Sequence, residues 1–258
     1  MTRSAGYFSS VIVLRDEYHI LAVVLCTYTT PLIRTMFRED SWKIVNFAQN
    51  QMKPTDEKPL ILPSLFCPAA SYYAMMAEAG HVVVNTGMRF DKRRKEVHRC
   101  VIADTRGPLE LTVPIAKPYG RTWDEISVST HGSWWNVVRT ALESAYGRTP
   151  YFEFYFDDFM PLFDPGYLST VTDLNKRFDT VIRRCLGLTT EVTYTPAGSQ
   201  CTTYPYGIDK SRQPRIMPYW QVRADRFGFI PDLSILDLLF NMGPEALLWL
   251  IRAEQKND

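Results

Sequence analysis

Apolar positions recur along the chain at two periods, and each change of period marks an element. Leu60–Leu62 is a short apolar run before Pro63-Ser64 and predicts a strand. Pro68 suits the first turn of a helix, where its missing N–H is harmless, and Ala69–Ala79 predicts that helix, closed by Gly80. His81-Val82-Val83-Val84 predicts a second strand, and the tight connections of this strand–helix–strand unit imply parallel pairing. Val97–Ala103 and Leu109–Ile115 predict a hairpin across Asp104-Thr105-Arg106-Gly107, which has turn chemistry. Alternation sets Leu109, Leu111, Val113 and Ile115 on the core face. In the partner strand it sets His98, Cys100 and Ile102 on one face and Val97, Arg99 and Val101 on the other.

Three helical stripes follow. Trp134, Val137, Val138, Ala141, Leu142 and Ala145 repeat at helical spacing after Gly132-Ser133, an acceptable N-cap. Leu168, Val171, Leu174, Phe178, Val181, Ile182, Cys185 and Leu186 form a second stripe that ends at Gly187. Ser234 and Asp237 resemble a capping box ahead of Leu238-Leu239-Phe240. Gly243 then stops that helix, and Pro244 starts another through Ile251. The fold class is α+β: a small mixed sheet, made of the strand–helix–strand unit and the hairpin, covered by several helices.

The first 58 residues do not continue this pattern. Ile20–Cys26 is an apolar run of seven, far short of the roughly 20 residues that span a bilayer. Arg15, Asp16, Glu17 and His19 precede it, and acidic residues do not suit the charged region of an export signal. Residues 50–59, NQMKPTDEKP, read as a polar, proline-bearing linker, and Met52 would also serve as a start. Residues 1–58 are therefore expected to be an extension or linker, and 59–254 the domain. With 29 basic and 28 acidic side chains, the net charge of +1 gives no reason to expect nucleic acid. Five widely spaced cysteines without a CxxC pair argue against a disulfide scaffold or structural zinc and for a reducing compartment. The expectation is a cytoplasmic protein that is not an integral membrane protein.

Candidate chemistry is dispersed. Arg89–Arg99 carries six basic and two acidic side chains, suited either to clamping a phosphate or carboxylate or to facing water. A half-buried His98 or Arg99 beside such an anion site would be functional, and a satisfied structural residue is the competing reading. Cys100 and His98 lie two apart on a strand, about 6.5–7 Å, too far for a nucleophile–base pair, so a buried thiol is expected unless His131 comes in from elsewhere. His131-Gly132-Ser133 precedes a helix N-terminus, where a histidine could serve as acid or base, or simply belong to a capping loop. Tyr151–Phe159 interleaves aromatic rings with acids; it could line a ring-binding cleft with Glu153 and Asp157, or be core. Asn175 sits on an apolar stripe, so its amide needs partners, either a structural network or a ligand. No P-loop, GxGxxG, HExxH or GxSxG occurs, and no metal site or cofactor is predicted.

Taken together, LPSLFCPAASYYAMMAEAGHVVV, DKRRKEVHRCVI, ESAYGRTPYFEFYFDDF and GFIPDLSILDLLFNMGPEALLWL resemble the WbqC-like family from about Leu60 to Leu250. The resemblance implies bacterial O-antigen or other surface-polysaccharide biosynthesis, with transfer of glycine or another small acyl group onto a sugar. It implies an activated small-molecule donor and a sugar or glycan-precursor acceptor as partners. On that reading His131, Glu153 and Tyr155 are the acid/base candidates. Lys92, Arg93, Arg94, His98, Arg99 and Asn175 would bind substrate, with Arg93, Arg94 and Arg99 as the anion clamp. The family often has Asn where this chain has His98, which makes Arg99 the firmer correspondence. The alternative is a non-catalytic glycan-precursor-binding or scaffold protein of the same pathway. Ser64-Leu65-Phe66-Cys67-Pro68 also resembles the strand–turn–helix opening of nucleotidylyltransferases. Those enzymes follow it with HxGH where this chain has Ala70-Ser71-Tyr72-Tyr73. Nucleotidyl transfer is therefore not expected, while a ligand pocket at the strand's carboxyl end stays open as a reading.

Overall fold

The first apolar run of the chain is half of a hairpin. In the computed structural model of the protein, β1 (Ile12–Asp16) pairs antiparallel with β2 (His19–Val23), from Ile12 opposite Val23 to Asp16 opposite His19. The structure describes residues 12–16, 19–23, 59–117, 119–164, 170–196, 204–207 and 213–253. The expected linker at 50–59 thus lies outside the described residues except for its last proline. The chain divides into two units, Met1–Glu39 and Asp40–Asp258. The hairpin belongs to the first, and everything below belongs to the second.

β3 (Leu60–Pro63) runs parallel to β4 (His81–Asn85), Leu60 opposite Val82 and Pro63 opposite Asn85, as the tight strand–helix–strand spacing predicts. The helix between them, α1 (Ala70–Glu78), is buried at every position from Ala70 to Ala77. Apart from Ser71 and the terminal, exposed Glu78 its side chains are apolar or aromatic, which suits a helix enclosed by packing on several sides. Gly80 does not close it. Ala79 turns extended at φ −79°, ψ 133°, and the chain passes almost directly into β4. A third parallel strand completes the sheet on the other edge of β4: β7 (Glu191–Thr195), paired from His81–Glu191 to Asn85–Thr195. Its alternation, Val192 and Tyr194 against Glu191 and Thr193, is only five residues long and gave no sequence-level prediction.

Between β4 and β7 the chain makes a long excursion. β5 (Arg99–Asp104) and β6 (Gly107–Thr112) form the expected hairpin, turning at Thr105-Arg106 with Gly107 at φ +110°. Cys100, Ile102, Leu111 and Val113 are buried as the alternation requires. Val97 is a correction: it is fully buried in a 3₁₀ turn before the strand, because residues 95–97 coil instead of extending. α2 (Trp134–Tyr146) follows, although Ser133 does not cap it with its side chain. Next comes α3 (Phe152–Phe159), where the interleaved rings take helical period. Phe152, Phe156 and Phe159 point inward while Glu153 and Asp157 are exposed, so the aromatic segment is core and not a cleft wall. α4 (Val171–Leu186) starts where Thr170 Oγ1 accepts from the Asp173 N–H at 3.2 Å and stops at Gly187, φ +70°. Phe178 of α4 gathers Phe66, Phe159 and Phe163 around it at ring-centroid distances of 5.1, 6.2 and 5.8 Å.

After β7 come a one-turn helix α5 (Ala224–Phe227), then α6 (Ile235–Met242) and α7 (Ala246–Ile251), the last packed on α1. Ser234 caps α6 through the Leu236 N–H at 3.4 Å, but Asp237 does not close the expected box. Its side chain is buried inward instead, with Oδ2 accepting from Tyr219 Oη at 2.6 Å and Gln221 Nε2 at 2.9 Å. These bonds pin the 219–222 segment to α6, helped by Asn241 Oδ1, which accepts from the Val222 N–H at 3.0 Å.

Burial pushes the Asp237 carboxyl above its ordinary 3.8, against the opposing pull of Tyr219, Tyr146 and Gln221. The folded state therefore holds this proton more tightly than the unfolded chain, and the contribution of Asp237 to stability falls as pH rises from the unfolded value through the folded one. Asp237→Asn keeps an acceptor for Tyr219 and Gln221 without the charge, so its stability relative to wild type should rise between about pH 4 and about pH 7. Asp237→Leu strands both donors and should cost roughly 2–5 kcal/mol. Urea denaturation of both variants at the two pH values checks this; a pH-independent difference for the Asn variant would contradict it.

Candidate functional site

The carboxyl ends of the parallel strands converge on one buried loop. After Pro63 the chain turns through Ser64-Leu65-Phe66-Cys67, all buried, before α1 begins. A buried loop must find partners for its backbone polar groups. Here the Ser64 N–H donates to Asn85 O at 3.3 Å and the Phe66 N–H to Glu96 O at 3.2 Å. Cys67 O accepts from Ser234 Oγ at 2.8 Å, and Pro68 O from the Ile235 N–H at 2.9 Å. Cys67 itself sits at φ +40°, a left-handed conformation that a side chain disfavours and that these contacts enforce.

Opposite this loop, α4 presents Asn175, Asp179 and Arg183 at successive spacings of four, hence along one face. Asn175 Nδ2 donates to Val97 O at 2.9 Å and to Ser64 Oγ at 3.4 Å. Asp179 Oδ1 accepts from Tyr73 Oη at 2.9 Å. Its Oδ2 accepts from Arg183 Nε at 2.8 Å and from the Tyr194 hydroxyl. Arg183 Nη2 also donates to Tyr194 Oη at 3.2 Å, and Lys176 Nζ lies 5.1 Å from the centre of the Tyr194 ring. Tyr72 Oη donates to Pro63 O at 2.8 Å.

Ser64, Leu65, Tyr72, Val84, Asn175, Asp179 and Tyr194 line a small, partly open cavity between the loop, the sheet and α4. It has room for about one water molecule. One wall atom is unmatched: Asn175 is 2% exposed, and its Oδ1 has no hydrogen-bond partner among the described residues. Burial raises the Tyr72, Tyr73 and Tyr194 hydroxyls well above the ordinary phenol range, with the Asp179 charge adding to each. At Arg183 burial acts downward but is outweighed by the Asp179 carboxylate, so the guanidinium is held charged. The three phenols therefore act here as neutral hydrogen-bond donors, and the single ion pair is internally balanced.

Of the catalytic and substrate-binding candidates read from the sequence, only Asn175 lines this cavity. Lys92 is exposed. Arg93, also exposed, closes a local turn by binding Asp91 at 2.9 Å, which holds that carboxyl down to about 2. Arg94 Nε donates to Glu96 Oε1 at 2.5 Å and Nη2 to Tyr206 O at 3.1 Å, fixing the loop that carries Tyr206. Arg99 Nη1 reaches Glu110 Oε1 at 2.6 Å across the hairpin, while its buried Nε has no partner among the described residues. His98 is buried, donates from Nδ1 to Val113 O at 2.8 Å and lies beside Trp123. His131 is exposed in the turn before α2, so it does not reach the buried Cys100 as a base. Glu153 and Tyr155 leave α3 about 200° apart, so they address different surfaces.

Asp179, Arg183 and Tyr194 were not read from the sequence, and Ser64, Tyr72 and Tyr73 were met only in the segment compared with the nucleotidylyltransferase opening, without a role at a site. For two of them a signal was present: Asp179 and Arg183 follow Asn175 at four and eight residues, a polar row inside an otherwise apolar stripe. The tyrosines gave none, because rings in a buried helix read as core.

Among the described residues no group of His, Cys, Asp or Glu could hold a metal ion, and no helix is long and apolar enough to cross a membrane. The class is thus an α+β domain with a polar cavity at the carboxyl edge of a three-stranded parallel sheet. The WbqC-like protein family matches residues 64–203, more than half of the chain, and the chain belongs to that family. The match begins at the cavity's Ser64 and includes all of its lining residues; the C-terminal resemblance at 228–250 lies beyond it. No curated protein and no solved structure matches the chain.

Burial lowers the His98 imidazole below its ordinary 6.5, outweighing its bond to Val113 O. The unfolded chain takes up this proton first as pH falls, so stability is full above the unfolded value and is lost as pH falls toward the folded one. In His98→Asn the side-chain amide could keep a donor to Val113 O without titrating. Thermal unfolding should therefore show wild type losing more stability than this variant between about pH 7.5 and about pH 5. Parallel losses would show that His98 is not buried as a neutral ring.

Proposed function

We propose that the protein is a transferase of cell-surface polysaccharide assembly that places glycine or another small acyl group on a sugar. The observation that carries this reading is the unmatched Asn175 Oδ1 inside a polar cavity at the carboxyl ends of β3, β4 and β7. Ligands of open parallel sheets bind beyond those strand ends. A buried acceptor without a donor costs about 1–3 kcal/mol unless something supplies one. Membership of the WbqC-like family supports the pathway, since that is the setting the family resemblance implies.

In this reading Ser64 and Asn175 hold the acceptor, while Tyr73, Asp179, Arg183 and Tyr194 keep the wall rigid. Arg183 is paired with Asp179, and Lys176, exposed beside the Tyr194 ring, is the cation assigned here to the activated donor. None of the acid/base candidates His131, Glu153 and Tyr155 lines this cavity, so a base for the acceptor hydroxyl has to be brought to it by the bound donor or by solvent. A binding protein of the same pathway is the second reading. It is favoured by one specific fact: Asp179, the only carboxylate among the described residues that line the cavity, already accepts three hydrogen bonds.

A thermal-shift panel on the full chain tests this with nucleotide-sugars, amino acids, ATP, CoA thioesters and aminoacyl analogues. A ligand at about 100 times its Kd should add about 2.7 kcal/mol of stability. The shift should be lost in a folded Asn175→Ala variant. A hit followed by a mass increase on a sugar acceptor supports transfer; a hit without product for any donor favours the binding protein.

A further inference from the structure

The polar atoms of the cavity discriminate between ligand groups, and we propose that it is a subsite for a single uncharged hydroxyl of a sugar or other polyol. The proposal deepens the transferase reading and rests on it for the role of that hydroxyl, which would be an acceptor hydroxyl or a neighbour of one.

The Asn175 amide has one allowed orientation. Its Nδ2 is 2.9 Å from Val97 O, and a flipped amide would set oxygen against carbonyl oxygen. Oδ1 is therefore the atom left without a partner, and it calls for a donor. Ser64 supplies the complementary group. Its Oγ accepts from Asn175 Nδ2, and its own O–H meets no acceptor among the described residues. The cavity thus asks for one donated hydrogen bond and offers one.

Candidate groups differ in which of these two bonds they can make. A carboxylate accepts only, so it would face Asn175 Oδ1 with another oxygen. An ammonium donates only, leaving the Ser64 O–H unanswered. It would also bring a charge to a wall where Arg183 already balances Asp179 at 2.8 Å. A hydroxyl both donates and accepts, and Tyr72 Oη, whose proton goes to Pro63 O, has lone pairs for a further contact. Size points the same way. Space for about one water admits one hydroxyl and leaves the carbon skeleton at the mouth. Displacing a water there loses little only if the incoming group repeats both of its hydrogen bonds, which a hydroxyl does.

The test titrates the isotope-labelled full chain with methyl pyranosides of glucose, galactose, mannose and N-acetylglucosamine, and separately with methylammonium and acetate. The readout is the Asn175 side-chain amide resonance. At least one glycoside should move it, and neither ion should. In Ser64→Ala with an otherwise unchanged amide spectrum, that glycoside should bind about tenfold more weakly. A response to methylammonium or acetate overturns the proposal, as does silence to every glycoside or unchanged affinity in Ser64→Ala. If Ser64→Ala does not fold, selectivity among the probes on the native chain decides by itself. The two readings also fail separately. A glycoside that moves Asn175 but gives no product with any donor sinks transfer and keeps the subsite. Product formed while Asn175 is unmoved sinks the subsite alone.

Discussion

One carboxylate joins three elements of the fold, the first of them 106 residues away in sequence. Asp179 on α4 receives Tyr73 from α1, Tyr194 from β7 and Arg183 from one turn further along its own helix. Its side chain is 10% exposed and that of Arg183 17% exposed, so both charges have largely left water. A buried pair of this kind adds little net stability over an apolar replacement, but losing either partner alone typically costs about 3–5 kcal/mol. What the cluster supplies is geometry. It sets α4 against the edge strand, and the helical period then places Asn175 one turn back from Asp179, against Ser64 and Val97.

The opposite wall depends on a loop that ordinary packing would not bury. Its backbone groups are satisfied by residues from almost the whole domain: Asn85 at the end of β4, Glu96 before β5, and the 233–235 segment leading into α6. Ala70 N–H donates to Leu233 O at 3.2 Å, and Ser71 Oγ donates to Asp232 Oδ1 at 2.6 Å. The C-terminal segment lies beyond the family match, yet it holds the start of α1 in place and so supports the turn that carries Ser64. The left-handed Cys67 is the local cost of that turn, and the number of distant bonds around it explains why it persists.

The legible parts of this structure are those where one period holds over a whole element. The hairpin faces, the stripe of α4 from Val171 onward and the parallel start at Leu60 follow from spacing alone; Leu168, the first residue of the expected stripe, lies outside the described residues. Two kinds of residue did not. Tyr151–Phe159 alternates chemically but folds as a helix, since Phe152, Phe156 and Phe159 also satisfy a helical period and tertiary packing chose between the two. Asp237 fits a capping box by spacing, yet Tyr219 and Gln221, brought by the fold, draw it inward. Asn175 was recognisable because an amide on an apolar face needs partners. Its partners Ser64 and Val97 were not, because they lie 111 and 78 residues away.

The basic run shows why charge density is a weak guide to a site. Arg93, Arg94 and Arg99 each meet a carboxylate within eleven residues of sequence, so short-range pairing consumes much of their anion-binding capacity. The exposed Arg93–Asp91 pair is of the weak kind, and an incoming anion could compete for it, whereas Arg94 and Glu96 are partly buried. The cavity has the opposite character: no free charge, one missing donor and fixed walls. Such a site reads a functional group and not a molecule, because it admits one oxygen and its hydrogen. Recognition of anything larger must therefore come from outside the cavity; Tyr194 forms part of its wall, and Lys176 Nζ lies 5.1 Å from the centre of that ring. The tight inner cavity would set where one hydroxyl sits, and the outer surface would set which molecule carries it.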